Sequence, residues 1–282
     1  MKRKMVFLSA LVLSVGSLVL LSSCGGNSSS TSDPGGVKTV YVGVLGAYPP
    51  FNYTDDNNKL IGYELEILKE VDRRLPQYTF EFQRLAGDVI LTSLDAGKID
   101  ISVCQWEFNV DRAEKYYFSE GYNDYDLYVQ VLESNNTINS IADLGGKTLG
   151  LLPGSNDYNV GLKYIQAHPE LNIRTFDRPA DTTLTLPNFI NNTYDAVLAN
   201  QFNAISSNLS NATQVKLVGN PVSTSEAHFL LRKTKVENDI DALKLLNALD
   251  TQILAMKQDG TLALLYEREV TGYLTALAAN GY

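Results

Sequence analysis

Cysteine and histidine occur only twice each in this chain of 282 residues, tryptophan once and methionine three times. So few thiols cannot staple a disulfide scaffold, and His168 and His228 lie too far from one another to supply a structural zinc set. No Ser-His-Asp set, metal constellation or glycine-rich phosphate loop stands out, so the usual equipment of hydrolytic, metal-assisted and nucleotide chemistry is missing and no cofactor is expected. Bases are outnumbered: 23 Lys and Arg face 32 Asp and Glu, for a net charge of −9. An acidic chain of this size argues against nucleic acid as a partner. No segment repeats at a fixed period, which excludes a solenoid. Beyond residue 21, no apolar run approaches the roughly 20 residues that span a bilayer.

What is present begins with an address. Lys2, Arg3 and Lys4 precede an apolar stretch from Met5 to Leu21, and Leu21-Ser22-Ser23 places small residues before Cys24. This layout is that of an export signal, and its Leu-Ser-Ser-Cys ending resembles a bacterial lipoprotein processing site. That resemblance implies cleavage after residue 23, a lipid on the Cys24 sulfur and acylation of the new N-terminus. Several acyl chains anchor stably at about 0.8 kcal/mol per buried CH₂, whereas one chain is marginal. The alternative is an uncleaved N-terminal membrane span. Residues 24–36, rich in Gly and Ser, have almost nothing to bury and read as a flexible tether. The signal carries three bases and no acid, so its removal takes the net charge from −9 to −12. Lipidation of Cys24 would leave Cys104 as the one remaining thiol, with no intrachain disulfide.

From residue 37 onward, strand and helix periods interleave. Val40, Val42 and Val44 alternate; Leu65, Leu68, Val71 and Leu75 follow at helical spacing up to Pro76; Tyr78, Phe80 and Phe82 alternate again. Val89, Ile90 and Leu94 mark a short helix before a strand from Ile99 to Cys104. A second series runs from the strand Thr148 to Leu152, through a helix carrying Tyr158, Leu162 and Ile165, to strands at Asn172 to Phe176 and Ala196 to Ala199. A helix near Leu184 to Ile190 separates those two strands, with Pro187 expected to delay or kink it. Two further strands, Asp124 to Leu132 and Ala227 to Lys233, flank the second series. An amphipathic helix through Ile240, Leu243, Leu246, Leu249 and Ile253 and a last helix from Thr261 close the chain. The β-α-β order predicts an α/β fold with two parallel sheets covered by helices, hinged by two extended crossings. Ligands of such folds lie beyond the carboxyl ends of the strands, which directs attention to Cys104–Arg112 and to Gly154-Ser155-Asn156.

Six motifs in order resemble the solute-binding family 3 of amino-acid ABC importers, with its two-lobed type II periplasmic-binding-protein fold. They are Tyr48-Pro49-Pro50-Phe51; Gly62-Tyr63-Glu64; Asp95 to Asp100; Asp111-Arg112-Ala113 with Tyr117-Phe118-Ser119; Ala142 to Gly150; and Asp259 to Leu262 with Tyr266-Glu267. The resemblance covers Val37 to about Val270. It implies a first lobe over residues 37–124, hinge and second lobe over 125–225, and a return to the first lobe with C-terminal helices over 226–282. It also implies a monomeric receptor outside the cytoplasmic membrane that binds an amino acid or analogue and hands it to an ABC permease.

The same resemblance assigns Arg112 as the clamp for a ligand carboxylate. Physical chemistry agrees, since a guanidinium offers a planar donor fork that fits a carboxylate bidentately. Gln105, Trp106 and Glu107, with backbone amides after the strand, complete that side of the pocket. Tyr48 matches an aromatic that covers the ligand side chain, and Ser155 and Asn156 open a helix whose free N–H groups favour an anion. Glu64 reads as an ordinary favourable end charge at a helix start. Three departures stand out. The family usually has a small hydroxyl residue where Glu107 stands, and an Asp that receives the ligand ammonium where Asn200 stands. Asn200 offers an amide oxygen without charge, so Glu107 is the candidate to take over the ammonium. A third departure is that Leu45 and Gly46 stand where members that bind lysine-like ligands often carry an acid, and Ala86 and Gly87 near where a second stacking aromatic often lies. A polar neutral or bulky ligand, glutamine-like or cystine-like, therefore fits better than a long cation. Rival functions are a cyclohexadienyl-dehydratase-like enzyme, with Glu107 as its acid, and a surface sensor or adhesin.

Overall fold

The computed structural model describes residues 36–179, 184–210 and 214–280. The signal segment, Cys24 and the tether up to residue 35 lie outside the described residues. Val37–Tyr282 form one compact unit.

The first series opens with β1 (Lys38–Val44), a small antiparallel sheet of β2 (Ala47–Tyr48), β3 (Asn52–Thr54) and β4 (Leu60–Ile61), and α1 (Tyr63–Arg74). It continues through β5 (Tyr78–Arg84), α2 (Gly87–Asp95) and β6 (Ile101–Glu107). The alternating valines of β1 are fully buried, and β1 pairs in parallel with β5 on one side and β6 on the other. α1 lays Leu65, Leu68 and Val71 on that sheet. Each such side chain removed from water contributes about 1.5–3 kcal/mol, which is why the 3.6-residue and 2-residue periods read so directly.

After α3 (Val110–Ala113) and β7 (Tyr116–Phe118), β8 (Asn123–Leu132) carries the chain into the second series. That series comprises β9 (Thr148–Leu151), α4 (Asn156–Ala167), β10 (Arg174–Asp177), α5 (Thr185–Ile190), β11 (Ala196–Ala199) and α6 (Gln201–Ser210). β12 (Val215–Arg232) returns the chain to the first series, followed by α7 (Lys233–Asn238), α8 (Ile240–Gln258), α9 (Thr261–Tyr266), a π-helical turn and α10 (Gly272–Ala279). The main sheet runs β10-β9-β11-β8-β12-β6-β1-β5, with β7 on β12. Its two ends are parallel α/β units with separate hydrophobic clusters, and the antiparallel pair β8–β12 joins them at the centre.

Several expectations change in detail. β12 begins at Val215 rather than Ala227, because a register shift between Val218 and Ser223 absorbs Gly219 and Pro221. The buried face of α8 is Ala242, Leu245, Leu246, Leu249, Ile253 and Met256, whereas Ile240 and Leu243 face outward. Pro187 neither delays nor breaks α5: it sits in the first turn, where a backbone N–H would lack an intrahelical partner anyway. α6, rich in Ser and Asn, was not legible as a helix.

Gly62 explains the tight join between the loop before β3 and α1. Its φ is +119°, and a Cβ there would lie 2.4 Å from the Phe51 carbonyl oxygen, so only glycine fits. The carbonyls of Pro50 and Phe51 in turn accept from the first N–H groups of α1, those of Tyr63 and Glu64.

Candidate functional site

β6 does not end as a plain strand. Against β12, Ser102 lies opposite Leu230 and Trp106 opposite His228, so β6 carries two extra residues between those pairs. Gln105 takes up the bulge in the left-handed region, at φ +49°. Bulges of this kind re-aim side chains beside binding sites. The Trp106 indole N–H reaches back to the Ser102 hydroxyl at 2.9 Å, which fixes the ring, and the Arg112 guanidinium rests over it at 4.8 Å from the ring centroid. Asn109 caps α3 by accepting from the N–H groups of Asp111 and Arg112, which sets the direction of the arginine. Among the described residues Arg112 forms no ion pair with Asp111, Glu114 or Glu107; a long contact of 3.5 Å runs from Nη1 to the Glu107 carbonyl. Its carboxylate-binding fork is therefore unoccupied by protein acid.

Glu107 is 8% exposed and lies at the centre of the site. Burial pushes its carboxyl up to about 7, against the pull of Arg112 and of hydrogen bonds from Tyr125 and Asn156; Asp157 adds to the rise. The neighbouring Cys104 thiol is pushed up to about 12, chiefly by burial, so it is held as an inert thiol.

The opposite wall comes from the second series. Ser155 caps α4, accepting from the N–H of Tyr158, and also contacts the Asp157 carboxylate and the Leu152 carbonyl. Asp157 itself pairs with Arg178 at 3.1 Å, both largely buried. A protein carboxylate thus already occupies the positive end of α4, and Asn156 supplies the group that crosses to Glu107. Asn200 is 4% exposed and caps α6: its Oδ1 accepts from the N–H of Asn203 at 2.9 Å, while its Nδ2 donates to the Tyr48 hydroxyl at 2.7 Å. The cap thus engages the amide oxygen of Asn200 and directs its N–H₂ to Tyr48. Tyr48 also meets Tyr125 and packs on Phe51, whose ring lies 4.6 Å from that of Phe202 of α6. Tyr48–Asn200 and Phe51–Phe202 are therefore direct contacts between the two α/β units.

The structure brings together Arg112, Glu107, Trp106, Tyr48, Asn156 and Asn200. It turns the Gln105 amide away: that N–H donates to the buried Glu64 carboxylate at 3.0 Å. Glu64 is fully buried and also accepts from Asn52 and the Tyr122 hydroxyl. Burial raises its carboxyl, and these donors pull against the rise. Sequence reading missed Tyr125, Asn52 and Tyr122. Tyr125 had a signal, since it shares the period-two face of Leu127, Val129 and Val131. A groove of about 790 Å³ adjoins the site at Gln105, Tyr125 and Asn200 and continues past Asp124, Glu226 and Tyr266.

Comparison with known proteins gives the family. A family model described as bacterial extracellular solute-binding proteins, family 3, matches residues 40–271. The L-cystine-binding protein TcyK of Bacillus subtilis is 31% identical over 248 residues, which cover 86% of this chain and 89% of that protein. A solved structure described as a putative L-cystine ABC transporter from Listeria monocytogenes superimposes with a TM-score of 0.68 at 32% identity, covering 83% of this chain and 96% of the other. A probable amino-acid ABC transporter extracellular-binding protein, ytmK of Bacillus subtilis, gives 0.72 at 28% identity over 83% and 98%.

Proposed function

This chain belongs to the bacterial extracellular solute-binding proteins, family 3, and on that premise we propose that it captures a cystine-like α-amino acid in the cleft around Arg112 and delivers it to an ABC permease. It is a solute-binding protein of amino-acid import and not an enzyme. Arg112 receives the α-carboxylate, Glu107 receives the α-ammonium in place of the uncharged Asn200, and Tyr48 and Trp106 wall the side chain. Ser155 holds Asn156 at the start of α4, and Gln105 sets the course of the backbone behind Glu107. Asn156 and Asn200, which already reach across to Glu107 and Tyr48, turn their amides to the ligand when it enters between the two units. Cys24 carries lipid and ties a monomeric receptor to the outer face of the cytoplasmic membrane. No helix among the described residues is long and apolar enough to cross a membrane.

One observation carries the reading. A guanidinium with no acid partner, stacked on the single tryptophan, lies in the same cleft as a buried carboxylate that has no base within ion-pair distance among the described residues. The two charges of a zwitterionic amino acid complete that arrangement. The names of the relatives support cystine over glutamine as the first ligand to test.

The test is a thermal-shift screen of protein from Val37 onward, stripped of carried ligand by partial unfolding. A ligand at 100 times its dissociation constant adds about 2.7 kcal/mol of stability. The expected result is a clear shift with L-cystine that Arg112→Ala abolishes. If no α-amino acid shifts the protein, the ligand class is wrong. For the anchor, labelled palmitate should enter the wild-type protein and not Cys24→Ser.

A further inference from the structure

The buried Glu64 carboxylate touches none of the residues assigned to the ligand's charges, yet it joins three segments that carry the site. Its Oε1 accepts from the Gln105 N–H at 3.0 Å and from the Tyr122 hydroxyl; its Oε2 accepts from Asn52 Nδ2. Asn52 passes the constraint on, because its Oδ1 accepts from the Gly46 N–H at 2.8 Å. Gly46 begins the loop that carries Tyr48. Gln105 is the left-handed residue of the β6 bulge and immediately precedes Trp106 and Glu107. Tyr122 leads into β8 and Tyr125, and its ring stacks on Phe229 at 4.4 Å. Each partner is a donor at the atom that meets Glu64, and the network leaves no other acceptor for the Asn52 amide or the Gln105 N–H among the described residues. Among those residues no base forms an ion pair with Glu64. A carboxylate buried in this way costs free energy unless its acceptor capacity is used, and here it is used to fix loop positions.

We infer that Glu64 is the positioning residue of the site: one buried carboxylate holds the Tyr48 loop, the β6 bulge and the start of β8 in a single geometry, so that Tyr48, Glu107 and Tyr125 meet. The inference rests on the proposed ligand wall only for its consequence in binding, since the network itself exists without ligand.

The division of bonds between the two oxygens gives a sharp test. In Glu64→Gln, the side-chain oxygen can keep Gln105 and Tyr122, but the new N–H₂ faces the Asn52 N–H₂. Turning Asn52 over only moves the clash, because its N–H₂ would then face the Gly46 N–H. Adding Asn52→Asp removes the conflict. The introduced carboxylate accepts both from the Gly46 N–H and from the new amide at position 64, and every contact again pairs a donor with an acceptor. The measurement is amide hydrogen exchange at Gly46 and Gln105 in protein from Val37 onward, without ligand, alongside emission from the single tryptophan, Trp106, and titration with L-cystine.

Glu64→Gln should speed exchange at both amides by about tenfold or more, shift Trp106 emission and weaken L-cystine binding by a similar factor. Glu64→Gln with Asn52→Asp should return all three to within about threefold of the wild type. Unchanged exchange in the single variant, or a double variant as impaired as the single, overturns the inference. If Glu64→Gln does not fold, Tyr122→Phe removes one donor at nearly constant volume and should still speed exchange at Gln105 severalfold; no change there overturns it equally. Should L-cystine fail to bind the wild type, the exchange data still decide on Glu64, while the ligand reading alone falls.

Discussion

The two walls of the cleft are built on opposite plans. The wall at the end of β6 is charged, with Arg112 on Trp106 and Glu107 buried beside it, and its backbone is bulged and pinned from beneath by Glu64. The wall from the second series is neutral where it meets the first. Its acid, Asp157, is spent on Arg178; the oxygen of Asn200 is spent on capping α6, and Ser155 on capping α4. What remains to face the cleft is the amide of Asn156 and the N–H₂ of Asn200. A ligand with both charges would therefore find its ionic partners on one unit and hydrogen-bond donors on the other. Closure then tightens a complex whose charge recognition is complete in the first unit.

The comparison can be broken at several points. The largest effect is expected from Arg112→Ala, with a loss of about 3 kcal/mol, or roughly a hundredfold in affinity by calorimetric titration, because a carboxylate would be left without its partner. Arg112→Lys should recover only part of it, since an ammonium cannot reproduce the bidentate fork. An Arg112→Ala protein that binds within threefold of the wild type would place the ionic anchor elsewhere.

Glu107→Gln is expected to act in opposite directions on binding and stability. Binding should fall about tenfold. The folded-state carboxyl is raised to about 7 from an ordinary 4.5. The contribution of Glu107 to the stability of the unliganded wild type is thus greatest below the unfolded value and is lost as pH rises from about 4.5 to about 7. The shift corresponds to at most about 3 kcal/mol. Glu107→Gln should remove that loss, leaving an unliganded protein that melts higher than the wild type at pH 8 and equally at pH 4. Melting curves across that range decide the point; a variant that is less stable at pH 8 would mean that the ionised Glu107 is better compensated than the geometry indicates.

Asn200→Asp in the Glu107→Gln background sharpens the contrast between the walls. A carboxylate at position 200 can still cap α6, and its second oxygen would face the cleft as an acceptor. It should return most of the lost tenfold by moving the charge to the other wall. The smallest effect is expected from Ser155→Ala: about 1 kcal/mol of stability from the lost cap, with affinity changed by less than about threefold. A larger loss of affinity would assign Ser155 to direct ligand contact.

Much of this architecture could be read in the chain because burial imposes periods. The valines of β1 and the Leu65–Leu68–Val71 face of α1 were legible, as were the limits of β11. Where a strand tolerates irregularity, the period fails: β12 runs through Gly219 and Pro221 because its bulge leaves them outside the ladder. α6 was hidden since its Ser and Asn residues favour caps and turns locally, while the contact of Phe202 with Phe51 joins residues far apart in the chain. Arg112 stands out as a candidate through motif and chemistry together. Glu64 does not. An acid at the second position of a helix looks the same whether it faces water or the interior, and its partners stand 12, 41 and 58 residues away. The orientation of Asn200 was equally hidden, because only the N–H of Asn203 determines which end of the amide faces the cleft.

The most direct test of the central claim, that the first unit supplies both charges, is the proton balance of binding. Ligand-stripped protein should be titrated calorimetrically with L-cystine in buffers of different ionisation enthalpy at pH 6 and pH 7.5. If Glu107 receives the ammonium, it must ionise on binding, so the wild type should release close to one proton at pH 6 and fewer at pH 7.5. Affinity should fall roughly eightfold between the higher and the lower pH, and Glu107→Gln should show neither effect. Binding that releases no proton, with the same affinity at both pH values and in Glu107→Gln, would contradict the account.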